Sequence, residues 1–250
     1  MTRGPIILIA ASGLAREVIS AIESRGTDRV LGILDDTVAL QGMEVGGVPV
    51  LGGTDLAGSF ADAQFVICTG VGSVRRRIAD RLARSGIGRS RYATVIHPNA
   101  MVPRSCRIGV GSVALAQVTL TADVQVGDHV VLMPQVVLTH DNRIEDYATI
   151  CAGVVLGGSV QVGAASYLGM NSSVRQDLHV GAGSALGMGS VLLTDLPAGQ
   201  TWAGVPAQPL LRAPASADEN PADDRHLSAP AVIGTASVIE TSVMERNDAR

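Results

Sequence analysis

The sequence predicts a small α/β, Rossmann-like domain followed by a parallel β-solenoid built of hexapeptide repeats. Three observations carry this. Stepping by six from Val102 through Leu120, Leu138, Leu156 and Val174 to Leu192 visits sixteen positions, of which fifteen are Val, Ile or Leu and one is Ala114. Glycine often follows the aliphatic residue, as at Gly109, Gly127, Gly157, Gly163 and Gly181. Ahead of this array, residues 1–97 alternate apolar runs with amphipathic segments, the pattern of parallel strands joined by crossover helices.

Within residues 1–97, Pro5–Ala10 reads as a buried strand. Ala11-Ser12-Gly13 turns into a helix over Leu14–Ser24, with Val18, Ala21 and Ile22 on one face. Val30–Leu34 is a second buried strand, ending in the acidic pair Asp35-Asp36. Gln64–Cys68 is another, followed by Gly70-Val71-Gly72 and a helix from Val74 to about Arg84. Tyr92–Ile96 closes the segment as a last strand.

A period of six fits neither a helix nor an ordinary strand. It fits short flat faces with a turn every six residues. The aliphatic points inward and stacks on its equivalents in neighbouring coils. The fourth residue after it is small or β-branched, as at Ser112, Val124, Val136, Val154 and Ser166, and fills the corner. Three faces make an 18-residue coil, so sixteen hexads give a little over five coils. An aromatic content of 2% suits so narrow a prism. Residues 98–212 form this second domain, and residues 213–250, rich in Ala, Pro, Asp and Glu, read as a disordered acidic tail.

Composition excludes several classes. No apolar run approaches the ~18 residues of a membrane-spanning helix, and no basic flank and long apolar core mark a signal peptide. Residues 1–212 hold 16 Arg against 16 acids, so no basic footprint for nucleic acid exists. Cys68, Cys106 and Cys151 make neither a disulfide framework nor a metal motif, and a reducing cytoplasm is expected. No metal is expected. His129, His140 and His179 are spaced by 11 and 39 residues, which rules out a zinc site repeating at coil spacing.

His140 is the chemistry candidate. Its hexad breaks the corner rule, because Asn142 stands where a small residue belongs, and local rule violations mark function. One coil away in each direction stand Ala122 and Gly158, small neighbours that leave the imidazole open. His97 reads as structural, His129 and His179 as solvated face positions, and His226 lies in the tail. At the carboxyl ends of the strands stand Ser12-Gly13 and Asp35-Asp36. On these residues alone two readings stay open. Either the glycine is a turn and the acids are solvated, or the helix start takes a phosphate and an acid takes ribose hydroxyls.

Five stretches go further: Ile7-Leu8-Ile9-Ala10-Ala11-Ser12-Gly13, Leu34-Asp35-Asp36, Cys68-Thr69-Gly70-Val71-Gly72 with Arg75-Arg76-Arg77, Thr139-His140-Asp141, and Trp202-Ala203-Gly204-Val205-Pro206-Ala207. With the hexads, they make the chain resemble the sialic-acid O-acetyltransferase and bacillosamine-pathway N-acetyltransferase family of left-handed β-helix sugar acyltransferases. The resemblance implies a left-handed solenoid, acetyl-CoA as co-substrate and a nucleotide sugar as acceptor. It also implies a homotrimer with the active site between chains. It implies His140 as general base with Asp141, and an acceptor site at Ser12, Gly13, Asp35, Asp36 and Gly70. Acetyl-CoA contacts fall on Thr149, Cys151, Gly158, Met170 and Met188, with an oxyanion donor around Gly157-Gly158. Asp141 either orients its own His140 or reaches a neighbouring chain or the substrate. Three positions depart from the family: Leu14 and Thr149 stand where histidines are usual, and Gln208 where a basic residue is frequent. A non-catalytic solenoid that binds a nucleotide sugar or organises an assembly is the alternative function.

Overall fold

The computed structural model describes residues 4–210, and the acidic tail expected over 213–250 lies outside them. The N-terminal sheet contains β1 (Ile6–Ile9), β2 (Val30–Leu34), β3 (Glu44–Val45), β4 (Val48–Gly52) and β5 (Gln64–Ile67) in the order β3-β4-β2-β1-β5. All pairings are parallel except β3 with β4. Helix α1 (Gly13–Arg25) begins at Ser12, whose side chain accepts from Ala15 N, and ends at Gly26 in the left-handed region. Helix α2 (Gly72–Arg84) follows β5.

The β3–β4 hairpin was not expected from sequence. Pro49 interrupts the run and weakens it as a strand signal, and β3 has only two residues. What makes the hairpin is Gly46-Gly47, with φ of 60° and 75°, the backbone of a tight two-residue turn that only glycine adopts without strain.

The solenoid is a three-sided prism. Strands one coil apart pair in parallel and in register at 18 residues, as Val131 with Thr149 and Val137 with Val155. The junction face runs from Val95–Ile96 through Val113–Ala114, Val131–Leu132, Thr149–Ile150 and Tyr167–Leu168 to Ala185–Leu186. The polar face presents Arg107, Gln125, Arg143, Gln161 and His179 outward. The third face carries Thr119, Val137, Val155, Ser173 and Val191. Every hexad aliphatic from Leu120 to Leu192 is at most 5% exposed and joins one continuous core. Val95–Ile96, expected ahead of the solenoid, pairs with Val113–Ala114 and so opens its junction face. At the far end, Trp202 packs against the core from a hairpin (Thr201–Gly204 with Ala207–Pro209) that adds to the same face and covers its open edge.

The α/β domain packs on the junction face. Leu14, Val18 and Ile22 of α1 share one cluster with Val113, Leu115 and Val131. Arg75 of α2 is fully buried there. Its guanidinium donates to the carbonyls of Thr69, His129 (2.7 Å) and Tyr147 (2.8 Å) and to Thr149 Oγ1 (3.0 Å). Carbonyl dipoles therefore hold a cation removed from water, and burial pushes its pKa down to about 10.

His129 corrects an expectation. It is 5% exposed, not solvated, edge-on to Tyr92 (ring centroids 4.5 Å apart) and stacked on Tyr147 (5.1 Å). Its corner is the one the α/β domain covers. Burial pushes its pKa down to about 4, with Asp128 opposing the shift. An unfolded histidine titrates near ~6.5, so between these values the unfolded chain binds more protons. Stability is therefore full above about pH 6.5 and falls toward pH 4, by on the order of 3 kcal/mol. Urea unfolding between pH 7 and 4 should show this slope. His129→Asn, tolerated at φ 54°, should flatten it. An unchanged slope would rule His129 out as its source.

Candidate active site

His140 and Asp141 sit on the corner between the third and polar faces. His140 Nδ1 lies 2.8 Å from Asp141 Oδ2, with the two side chains 63% and 60% exposed. On a flat strand, neighbouring side chains would diverge. Here the pair spans a turn in which Asp141 has φ 61°, and that turn swings the carboxylate back to the ring. The pairing is thus within one chain. With Nδ1–H donating to the carboxylate, Nε2 is the ring nitrogen that carries the lone pair, and it has no hydrogen-bond partner among the described residues. The imidazole lies against Gly158: a Cβ there would stand 2.4 Å from Cε1 and 2.5 Å from Nε2. Gly157 N–H is used in the ladder to Val174 O, whereas Gly158 N–H has no acceptor among the described residues. Of the two glycines, only Gly158 can donate to a developing oxyanion.

The expected coenzyme residues divide. Thr149 is fully buried, its hydroxyl donating to Gly70 O (2.7 Å) and accepting from Arg75, so it cannot touch a ligand. Cys151 is 1% exposed, and burial pushes its thiol pKa up, which removes it as a contact and as a nucleophile. Both lie on or beside the face that the chain's own α/β domain covers. Met170 and Met188 are exposed and stand one coil apart, on the corner between junction and third faces. Within one chain they are across the third face from His140.

Ser12, Gly13, Asp35 and Gly70 come together at the carboxyl ends of β1, β2 and β5, where the strand order reverses. Ser12 Oγ donates to Cys68 O (2.5 Å), and Asp35 accepts from Ala11 N (2.7 Å) and Thr37 N (2.8 Å). Asp36 does not belong with them. It accepts from Thr54 N and Oγ1 (2.8 Å each) and from Arg81 (2.7 Å), and it lines a separate hollow with Gln41 and Gly53. Successive residues leaving a strand point to opposite sides, so one acid of the pair had to turn away. A cleft of about 370 Å³ opens beside Ala11, Ser12 and Gly13, and its other wall is Arg16, Glu44 and Gly46. Sequence reasoning missed Arg16 and Glu44. The signal for Arg16 was its place one turn into α1, three residues after Gly13; Glu44 depended on the unforeseen hairpin. Leu14 is buried under α1 and does not reach this cleft.

Among the described residues, no cluster of three or more His, Cys, Asp or Glu is placed to hold a metal, and no helix is long and apolar enough to cross a membrane.

Comparison with known proteins bears on both halves. The family model of the PglD N-terminal domain matches residues 5–82. UDP-N-acetylbacillosamine N-acetyltransferase of Bacillus subtilis (strain 168) is 32% identical over 113 residues, 44% of this chain and 51% of that protein. The match thus spans about half the length of that curated relative. The acetyltransferase domain of PglB from Neisseria gonorrhoeae FA1090 is 31% identical, with a TM-score of 0.75 over 82% of this chain and 99% of that one. That domain has also been solved with acetyl coenzyme A. PerB from Caulobacter crescentus, solved with CoA and GDP-perosamine, is 27% identical with a TM-score of 0.75 over 82% of this chain and 96% of its own. The solenoid therefore has the fold of the left-handed parallel β-helix acetyltransferases.

Proposed function

This chain belongs to the sialic-acid and bacillosamine family of left-handed β-helix sugar acetyltransferases, and from that premise we propose that it moves an acetyl group from acetyl-CoA to an amino group, or a hydroxyl, of a nucleotide-linked sugar. The observation that carries the chemistry is His140 Nε2, exposed over Gly158, with Nδ1 held by Asp141. A sugar amine at neutral pH is mostly protonated, and its neutral form must lose a further proton as it attacks. His140 Nε2 takes that proton while nitrogen adds to the thioester carbonyl. Asp141 stabilises the imidazolium, and Gly158 N–H stabilises the oxyanion. Collapse breaks the carbon–sulfur bond, and the imidazolium returns the proton to the CoA sulfur. Transfer is direct, with no acyl-enzyme, because Cys151 is buried and lies across the third face from His140.

The α/β cleft takes the acceptor. The start of α1 and the Arg16 cation favour a diphosphate there, and Glu44 offers acceptors to hydroxyls. Asp35 holds the Ala11–Gly13 turn from below. Asp35→Ala should therefore raise the acceptor KM about tenfold and leave that of acetyl-CoA unchanged. Asp36→Ala should leave both constants unchanged. Equal effects of the two substitutions would remove the cleft as the acceptor site.

Among the described residues of its own chain, His140 on its open corner has no second wall. Met170, Met188 and Val155 are exposed, the last two by 56% and 41%, and a neighbouring prism can supply them as an apolar path for the pantetheine arm. In this reading the assembly is a homotrimer, and light scattering should return a mass near three times 25.7 kDa. Three free, buried cysteines suit a reducing cytoplasm. The decisive experiment incubates the protein with acetyl-CoA and a panel of nucleotide amino sugars and follows thiol release. Thiol release with one acceptor supports the enzyme; binding of a nucleotide sugar without release would favour a non-catalytic solenoid.

A further inference from the structure

Asn142 occupies the corner two residues after His140, in the position most other hexads give to Ser or Val, with Ala148 and Leu178 among the exceptions. It is fully buried. Its Nδ2 points at three carbonyl oxygens: Thr139 O at 2.8 Å, Gly157 O at 3.0 Å and His140 O at 3.3 Å. Its Oδ1 is buried with no hydrogen-bond partner among the described residues. Rotating the amide would aim Oδ1 at those three carbonyls, so the orientation is fixed by chemistry.

The serine corners of the same solenoid show what a structural residue does there. Ser166 and Ser184 each donate to the carbonyl three residues back, at 2.7 Å. Ser112 instead donates to the carbonyl fifteen residues ahead, in the next coil, at 2.8 Å. Asn142 makes both stitches at once, to Thr139 and to Gly157, and adds a third to the carbonyl of His140 itself. An asparagine thus leaves an acceptor unsatisfied in the core and binds the backbone on both sides of the imidazole, including the residue that precedes Gly158. The unpartnered oxygen is shared with the corner residue Ser172, but corner filling alone does not explain the three-way contact to backbone carbonyls.

We infer that Asn142 is a positioning residue that holds the His140 turn in register with Gly157-Gly158, so that the imidazole and the free Gly158 N–H keep a fixed separation. This rests on the reading of His140 as the base. The test is Asn142→Ser, the side chain the fold already uses at five such corners, with Asn142→Val as a second variant taken from Val124, Val136 and Val154. Each is measured alone and combined with His140→Ala, for kcat, both KM values and melting temperature. The expected result is a kcat about tenfold or more below the parent with both KM values within twofold, from the loss of alignment. The melting temperature should be unchanged or higher, because the orphaned oxygen is gone. In the His140→Ala background the same substitutions should have no further effect on kcat. A parental kcat for both variants, a kcat loss that tracks a lower melting temperature, or an equal further loss without the imidazole would each overturn the inference. Full activity of His140→Ala would remove the base reading and this inference with it. An inactive His140→Ala beside fully active Asn142 variants would remove this inference alone.

Discussion

Replacing His140 with alanine is expected to lower turnover by about 10²–10⁴-fold, the range for loss of a general base, while the melting temperature stays where it was. The stability half follows from exposure. The side chain is 63% exposed, and its hydrogen bond is to an equally open carboxylate, so removal opens no cavity and strands no buried group. Leu138, at the inward position of the same hexad, is fully buried and unaffected. The catalytic half follows from the free Nε2. Steady-state kinetics should show the loss in kcat, with acetyl-CoA binding retained. Turnover within about threefold of the parent, in correctly assembled protein, would sink His140 as the base.

The second large effect is expected from a methyl group. Gly158→Ala places Cβ 2.4 Å from the His140 ring, closer than any real contact, so the ring must move. No positive φ constrains residue 158, and the obstructing atoms end a flexible side chain, so the fold absorbs the change cheaply. The base and the oxyanion donor do not, since a displacement near 1 Å at a reacting centre costs on the order of 10²-fold. Because the substitution acts through His140, it should add little to His140→Ala, and the double variant should match the single one. Additive losses would mean that Gly158 serves the coenzyme independently of the base.

Parts of this site were readable in the linear chain for a definite reason. A period of six is local, so the inward aliphatics, the corner positions and the 18-residue stacking of Gly158 on His140 follow from counting. His140 and Asn142 stood out because they broke that count. Positions whose environment is set by the other domain were not readable. Thr149, Cys151 and His129 occupy ordinary hexads, and nothing in those hexads says that the α/β domain seals them. Asp35 and Asp36 are adjacent in sequence, yet one braces the Ala11 turn and the other pairs with Arg81.

The sequence by itself determined the prism, the order of the two domains and the rung on which His140 sits, because repeat, hydrophobic pattern and glycine placement are properties of consecutive residues. The tertiary structure decided which face is covered, which acid braces the turn beside the cleft, and that Asp141 turns back onto its own histidine. Those outcomes depend on contacts between segments tens of residues apart, such as Arg75 on the carbonyls of His129 and Tyr147, and on a left-handed turn residue whose direction no pattern of side chains encodes.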